Sequence, residues 1–340
     1  AQHARSVYPP HMHVASTASI PCDAPDHKAR PYKTAVSMSA SFADCSPRNI
    51  YIDMGANWCN TLQLFKRVPL HDSERSRQHA SPYQVYAFEV APLIAPFVET
   101  CCMALSQGEP LPHGPVPPSG SSSALLAYGK KLGCNEASRG QQFVCIERAL
   151  NSSLHALQRS EGLALLLPSR LKAARMRGCN AMPQNEAQPS YSMLPAAVGA
   201  HVGYLRLHAA GPRGLMQLLR GGDSVDSNWF PGSHDDNDVA KVPVIDVVSW
   251  MAASFSEADH VVVKMDVEGA ENDIIPALLA SNASRLIDTL LWECHLAIRG
   301  GGAGRCQCQH WDQALLASGV KRIFHDPYPF AKSSDYPPFP

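Results

Sequence analysis

The chain has 340 residues, of which 17% are charged and 45% are hydrophobic, and its formal net charge is −1. This balance argues against two classes of protein. They are a typical nucleic-acid-binding protein, which has an excess of basic residues, and an acidic disordered tail protein. The length fits two domains or one large α/β domain. No run of about 18 apolar residues is present, so the sequence predicts no membrane span in this chain.

Residues 1–48 are rich in Pro, His, Ser and Ala, which predicts an extended or partly disordered lead-in. The first residue is Ala1 rather than Met, so a signal peptide or an N-terminal anchor could have been removed. The 11 cysteines leave at least one unpaired within the chain. With the sequons at Asn151 and Asn282, these features favour a glycoprotein of the secretory lumen, Golgi or extracellular, over a cytoplasmic protein.

The first ordered unit begins at Asn49–Gly55, an apolar, β-branched run that ends in an acidic residue and a glycine. Such a run is typical of a buried parallel strand that enters a ligand-binding turn. The start of a helix is predicted at Thr61–Phe65, a second strand at Tyr83–Glu89 and a second helix at Leu93–Leu105. Strand, turn, helix and strand make one βαβ unit.

The middle of the chain carries no recognisable chemistry. Residues 107–123 are rich in Pro, Gly and Ser, and residues 124–195 are predicted to be mostly helical. We interpret 103–194 as an insertion of helices and loops. A strand or hairpin is predicted at Val202–His208, and the acidic loop 223–238 is more typical of a solvated loop than of a calcium site.

The last third of the chain is again predicted to alternate strands and helices. The predicted elements are a strand entering a helix at Val244–Met251, a buried strand within His260–Glu271, a helix at Ile274–Ala280, a strand at Leu286–Trp292, a helix near Trp311–Ser318 and a strand at Val320–His325.

Four predicted strands end in polar residues, which is unusual for packing alone. The groups are Asp53, Gly55 and Asn57; Glu89; Asp266, Glu268 and Glu271; and Glu293 and His295. A single acid of this kind is often only a helix cap. Because ligands bind beyond the carboxyl ends of parallel strands, the four tips together predict a ligand site.

The first turn indicates which class of ligand this is. It contains neither the Gly-Lys-Ser/Thr of a P-loop nor Gly-x-Gly-x-x-Gly, so a nicotinamide dinucleotide is weakly supported as the alternative. Glu89 suits a ribose, because a carboxylate can accept hydrogen bonds from two vicinal hydroxyls. A nucleoside without a pyrophosphate fits best, and S-adenosylmethionine is the obvious candidate.

Three motifs in the sequence resemble the FkbM-type S-adenosylmethionine-dependent methyltransferases: Ile52–Asn57, Tyr86–Glu89 and, most specifically, Lys264–Glu271. The resemblance covers about 49–95 and 195–325. It implies a single methyltransferase domain, 49–340, with an α/β Rossmann-like class I fold: a mostly parallel central sheet flanked by helices.

The resemblance also implies O-methyl transfer, often to a sugar hydroxyl, so the expected partner is a hydroxyl-bearing carbohydrate acceptor. The cofactor-binding residues that it implies are Asp53, Gly55, Ala56, Asn57, Glu89 and Ala197. Asp266, Glu268 and His295 would face the acceptor as catalytic residues, with Asp266 or His295 as the base. Glu271 would also face the acceptor, and Glu268 and Glu271 could instead stabilise the turn, because carboxylates at a helix start interact favourably with its dipole. The spacing does not require a metal, although Asp266 with a neighbour could bind one.

One position departs from the family pattern. The family usually has glycine where Cys59 stands, and a side chain there could crowd the cofactor turn. The alternative function is therefore a non-catalytic module of the same fold that binds a cofactor or a partner.

Overall fold

The computed structural model describes residues 47–57, 59–67, 82–90, 94–110, 130, 133–134, 145, 167–173, 189–208, 239–296 and 301–325. The predicted lead-in up to residue 46, the acidic loop 223–238 and the sequon at Asn151 lie outside these ranges. Within the described ranges, no helix is long and apolar enough to cross a membrane.

Strands and helices alternate along most of the described chain. They are β1 (Asn49–Met54), α1 (Asn60–Arg67), β2 (Tyr83–Phe88), α2 (Ala95–Gln107), β3 (Ser190–Leu194), β4 (Ala197–Gly199), β5 (Gly203–His208), β6 (Val239–Asp246), α3 (Val247–Ser254), β7 (His260–Met265), α4 (Glu271–Ser281), a 3₁₀ turn (Ala283–Leu286), β8 (Thr289–Trp292), α5 (Gly301–Ala317) and β9 (Arg322–Phe324).

The main sheet has six strands in the order β3-β2-β1-β7-β8-β9, and every neighbouring pair is parallel. Along the chain, the sheet extends in one direction from β1 to β3 and in the opposite direction from β7 to β9. The strand order therefore reverses between β1 and β7, and a crevice for a ligand is expected at the carboxyl ends of these two strands.

Alternation along β1 distributes its side chains between two hydrophobic layers. Ile50, Ile52 and Met54 pack in the layer that contains residues of α3, α4 and α5. Tyr51 packs in the opposite layer, with residues of α1 and α2. Helices thus cover both faces of a parallel sheet, which explains why its central strands are almost continuously hydrophobic. The fold is α/β and Rossmann-like, as predicted.

A second sheet of three strands has the order β4-β6-β5. β4 runs parallel to β6, whereas β5 is antiparallel to it. β5 confirms the half-exposed strand predicted at Val202–His208, since Tyr204 is exposed and Leu205 is partly buried. β6 leads directly into α3, and the Asp246 side chain caps that helix by accepting a hydrogen bond from the Ser249 N–H.

Two elements of the fold lie within the range 103–194 that was predicted to be an insertion. Helix α2 continues to Gln107, and β3 pairs with β2 over Ser190–Leu194. An insertion between these elements stays a prediction, since most of that segment is outside the described residues. Helix α5 begins at Gly301, ten residues before the predicted Trp311.

Disulfides join several of these elements. Cys59, just before α1, is bonded to Cys101 of α2, and Cys294, just after β8, is bonded to Cys308 of α5. A third disulfide links Cys134 to Cys145. Among the described cysteines, Cys102 is a buried free thiol, and burial raises its pKa. The prediction of at least one unpaired cysteine is consistent with this arrangement.

Candidate active site

The turn after β1 lies against the ends of both neighbouring strands. The N–H groups of Gly55 and Ala56 donate to the carbonyl oxygen of Phe88, at 3.0 and 2.9 Å, at the end of β2. Gly55 has a φ of 86°, and a Cβ at this position would overlap the carbonyl oxygen of Asp266. Glycine is therefore required both by the backbone angle and by the close approach of the two strand ends.

Glu89 connects the same turn to the end of β2. Its Oε2 accepts a hydrogen bond of 2.8 Å from the Asn57 N–H, and its Oε1 accepts one of 2.8 Å from the Val90 N–H. A carboxylate can accept several hydrogen bonds at once. The Glu89 side chain is only partly buried at this edge of the sheet.

Lys264 lies at the centre of the site, although its neighbours in β7 are apolar. Its Nζ is 3.3 Å from Oδ1 of Asp53 and 3.6 Å from Oδ2 of Asp266, and it donates a 2.6 Å hydrogen bond to the carbonyl oxygen of Gly55. Burial opposes the charge on this amine, but Asp53 and Asp266 outweigh that effect and raise the pKa of Lys264. Lys264 is therefore a buried cation that links the ends of β1 and β7.

His295 faces two acids that follow β7. Its Nε2 is 3.3 Å from Oε2 of Glu268 and 3.7 Å from Oδ1 of Asp266. Glu268 has a left-handed φ of 50°. Burial raises the pKa of Glu268 to about 7, although His295 opposes this shift. Burial lowers the pKa of His295, but Glu271, Glu268 and Asp266 outweigh it and raise that pKa to about 9.

Glu271 is fully buried and contacts His295 at Nδ1, the ring nitrogen that does not face Asp266 and Glu268. Its Oε2 accepts a 2.8 Å hydrogen bond from the Gly269 N–H at the start of α4. Its Oε1 accepts one of 3.1 Å from the backbone N–H of His295 and lies 3.0 Å from His295 Nδ1. Of its two predicted roles, the structure supports stabilisation of the helix start, to which it adds the orientation of the His295 ring.

The structure brings the four predicted strand tips to one edge of the sheet, but the implied cofactor residues differ in exposure. Asn57 and Glu89 are partly buried, whereas Asp53 and Ala56 are completely buried. Thr61 Oγ1 donates to Asp53, and Ala56 packs in the core beneath the turn. These two side chains shape the turn and leave no exposed surface for a cofactor in this conformation.

Ala197 and Glu293, which the sequence also places near the site, lie at its edges. Ala197 packs with Val242 and Val244 of the second sheet, against Val90, which follows Glu89. Glu293 extends the acidic cluster after β8, and burial together with Asp266 raises its pKa.

The sequence indicates that Lys264 could pair with one of the acids of its motif, but it leaves the role of this lysine open. A lysine inside the apolar run His260–Met265 was the available signal, because a buried cation needs acidic partners at the same depth. The concern about Cys59 is answered by its surroundings. Its φ is 64°, in the region that glycine prefers, but its side chain lies in the core, bonded to Cys101.

Residues 166–319 match the family model described as methyltransferase FkbM domain. This part of the chain is therefore similar to the FkbM methyltransferase domain. The match contains β3 to β8 and α3 to α5, with Ala197, the Lys264–Glu271 motif and His295. No curated protein matches the chain, and no solved structure matches it.

The FkbM match begins inside the predicted insertion and after the other two motifs that suggested the family, Ile52–Asn57 and Tyr86–Glu89. Hydrogen bonding connects those motifs to the domain, because β1 pairs with both β2 and β7. The parallel sheet that contains the matched region is therefore completed by strands that precede it.

Proposed function

We propose that the protein is an S-adenosylmethionine-dependent O-methyltransferase that acts on a sugar or glycan hydroxyl. One observation carries the proposal: the turn of Gly55 and the Glu89 carboxylate share a sheet edge with Asp266, Glu268 and His295. A cofactor and an acceptor bound at these two groups of side chains would meet at the switch point between β1 and β7.

The charges of the site favour this cofactor over a dinucleotide. Lys264 is buried against Asp53, Asp266 and the Gly55 carbonyl oxygen, so it has no exposed atom to offer a pyrophosphate. The surrounding carboxylates favour a cationic ligand such as a sulfonium. Glu89 is partly exposed at the same edge of the sheet, and a carboxylate can accept hydrogen bonds from the two ribose hydroxyls.

S-adenosylmethionine, when bound, supplies an activated methyl group. The protein contributes orientation, because an acceptor oxygen must lie about 3 Å from the reacting carbon in line with the breaking bond. Asp266, whose side chain is 27% exposed, is placed to receive the proton of the acceptor hydroxyl, whereas that of His295 is 3% exposed. His295 then orients the carboxylates of Asp266 and Glu268, and Glu271 holds the ring.

The non-catalytic alternative depended on a crowded turn at Cys59 and on the insertion. The Cys59 side chain is in the core, so the first motivation is removed, and most of the insertion lies outside the described residues. We therefore retain catalysis as the proposed function.

Calorimetric titration of the full chain with S-adenosylmethionine tests the first step. We expect saturable binding, and Glu89→Gln is expected to weaken it by about 10-fold or more, since hydrogen bonds to charged groups are worth about 1.5–3 kcal/mol. Glu99→Gln is the matched control, because Glu99 is a partly exposed residue of α2 paired with Arg170. Tighter binding of NAD, or equal affinities of both variants, would contradict the proposal.

Transfer of a labelled methyl group to a panel of glycans, lipids and proteins tests the acceptor class. We expect incorporation into a glycan that survives protein digestion, with a large loss in Asp266→Asn. Full turnover by both Asp266→Asn and His295→Ala would refute the assigned roles, and incorporation only into lipid or protein would refute the acceptor class.

We also propose that the protein resides in the secretory lumen. Three disulfides among the described residues support this proposal, because such bonds persist in oxidising compartments. Asn282 is exposed at the end of α4, where it could carry a glycan. Enzymatic deglycosylation of protein from secretory cells is expected to lower its mass, and the decrease should be smaller in Asn282→Gln. The same decrease in both proteins would count against glycosylation at Asn282.

A further inference from the structure

We propose that Asp266, Glu268 and His295 form a binding site for a divalent cation of the Mg²⁺ and Mn²⁺ class. One ligand atom from each side chain lies within 4.8 Å of the other two. Cation binding follows from these residues alone. Its catalytic use deepens the proposed function and rests on it.

The separations suit one ion. Ligand bonds of about 2.1 Å in an octahedral site place neighbouring ligand atoms about 3 Å apart and opposite ones about 4 Å apart. Nε2 of His295 is 3.3 Å from the Glu268 carboxylate and 3.7 Å from that of Asp266. Small rotations of two partly exposed side chains would close both distances to the octahedral value.

Glu271 gives the imidazole the orientation that a metal ligand needs. Its Oε1 is 3.0 Å from Nδ1 of His295 and lies on the side of the ring away from the two acids. An ion that binds Nε2 displaces the proton of that nitrogen. With the remaining ring proton on Nδ1, the lone pair of Nε2 points toward Asp266 and Glu268. A carboxylate behind a ligating histidine is a recurrent second layer of metal sites, where it fixes the tautomer and increases basicity.

The charges also call for a further cation. Asp266, Glu268, Glu271 and Glu293 interact electrostatically with one another around His295. Among the described residues, the cations placed against Asp266 are His295 and Lys264. Lys264 is shared with the fully buried Asp53. Buried charges are stable only when they are compensated, so a divalent ion would relieve the repulsion among the acids.

An ion can reach this position from the crevice. The side chains of Asp266 and Glu268 are 27% and 23% exposed, whereas His295 is 3% exposed. Three protein ligands leave about half of an octahedral shell for water or for an acceptor hydroxyl. A hydroxyl bound there would become more acidic and would give its proton to the carboxylate oxygen of Asp266 that does not bind the ion.

The ligand set favours a hard ion. Two carboxylates and one imidazole, with no thiolate among the three, suit Mn²⁺ and Mg²⁺ better than the soft ions that prefer sulfur. Mn²⁺ is therefore the probe of choice, since its paramagnetism reports the free ion directly.

The test is titration of the full chain with Mn²⁺ after treatment with EDTA and its removal, with free Mn²⁺ followed by electron paramagnetic resonance. We expect one saturable site per chain and a Mn²⁺-dependent increase in melting temperature, since an ion that binds only the folded state stabilises it. Mg²⁺ should displace the probe. The absence of saturable binding up to millimolar Mn²⁺ would overturn the proposal.

Variants locate the site. Glu268→Gln and Asp266→Asn should each weaken Mn²⁺ binding by more than 10-fold, and Glu271→Gln should weaken it by about 10- to 100-fold through the imidazole. Glu293→Gln is the control, because it removes the same charge nearby without removing a ligand, and we expect a change of threefold or less. Equal affinity in Glu268→Gln and Glu293→Gln would overturn the assignment. Circular dichroism establishes that each variant is folded. If a variant does not fold, the titration of the wild-type protein still tests whether the cation binds.

The titration contains neither cofactor nor acceptor, so it can succeed when methyl transfer fails. Conversely, binding of S-adenosylmethionine in the presence of EDTA tests the proposed function without the ion. If transfer is found, EDTA should abolish it, and Mn²⁺ or Mg²⁺ should restore it. Undiminished transfer in EDTA would overturn the catalytic use of the ion.

Discussion

The disulfide between Cys59 and Cys101 is expected to be a main source of stability for the cofactor turn. It closes a loop with a sequence separation of 42 residues. In the chain-entropy description, a loop of this length stabilises the folded state by about 4 kcal/mol. Removal of both sulfurs in Cys59→Ala/Cys101→Ala should lower the free energy of unfolding by that amount, plus a smaller contribution from the lost packing. Both residues are replaced because Cys102 could otherwise pair with the remaining thiol.

A second double variant, Cys59→Gly/Cys101→Ala, separates the covalent bond from the backbone angle. Glycine relieves a left-handed φ, which costs other residues about 1–2 kcal/mol, but it loses a buried methyl worth about 0.8 kcal/mol. Glycine also costs about 0.5–1 kcal/mol in chain entropy, so the two variants should differ by less than about 1 kcal/mol. At a right-handed position nothing would offset the two losses, and the glycine variant would be less stable by about 1.3–1.8 kcal/mol.

Urea unfolding followed by far-UV circular dichroism measures both differences, and calorimetry measures S-adenosylmethionine binding by the same proteins. Cys134→Ala/Cys145→Ala is the matched control. Its loop has a sequence separation of 11, which predicts a loss of about 3 kcal/mol with unchanged cofactor affinity. A loss below about 1 kcal/mol in the Cys59 variants, or a glycine variant less stable than the alanine variant by more than about 1.3 kcal/mol, would refute the reasoning.

Three further substitutions test the site and its support by urea unfolding. Gly55→Ala should lower the free energy of unfolding by about 3 kcal/mol, because the added methyl meets a backbone carbonyl at a left-handed φ. Gly203→Ala has open space around the added methyl and should change this free energy by no more than about 0.5 kcal/mol. Equal losses in the two variants would contradict the close approach at Gly55. Lys264→Met should cost about 3–5 kcal/mol, because it leaves the buried Asp53 without its cation, and a neutral result would show that Asp53 is not charged. Burial raises the pKa of Asp288, but hydrogen bonds from His260, Lys321 and the Val261 N–H outweigh burial and lower this pKa. The ionised Asp288 therefore stabilises the fold at pH values above its unfolded pKa of about 3.9. This stabilisation is lost as the pH falls through the folded pKa. The difference between wild type and Asp288→Asn should therefore be large at pH 7 and smaller at pH 3.5, and a difference that grows on acidification would contradict this sign.

The central strands could be predicted from the sequence because their signals are local. The runs around Ile52 and Val262 are apolar and β-branched, and each ends in an acid before a turn. Strand β3 was missed because Ser190–Leu194 contains no β-branched aliphatic residue and two serines, so its strand state depends on pairing with β2. Long-range pairing of this kind leaves little trace in a single sequence.

The site could be predicted in outline but not in detail. The position of acids at strand ends indicated that Asp266 and His295 would meet, because parallel strands share an edge. The ring orientation imposed by Glu271 and the bond between Cys59 and Cys101 depend on side-chain placement in three dimensions. Connectivity of cysteines cannot be deduced from their spacing alone, and a left-handed φ at a cysteine has no sequence signature.

The pairing of β1 with β7 has a consequence for synthesis. Asn49 lies opposite His260, 211 residues later, and translation at about 5–20 residues per second needs roughly 10–40 s to cover that distance. Throughout this interval one edge of β1 lacks its neighbouring strand, and apolar side chains of the incomplete sheet stay uncovered. The part of the protein that precedes β7 is therefore expected to depend on chaperones until β7 emerges, and a chain truncated before His260 should be recovered in aggregates.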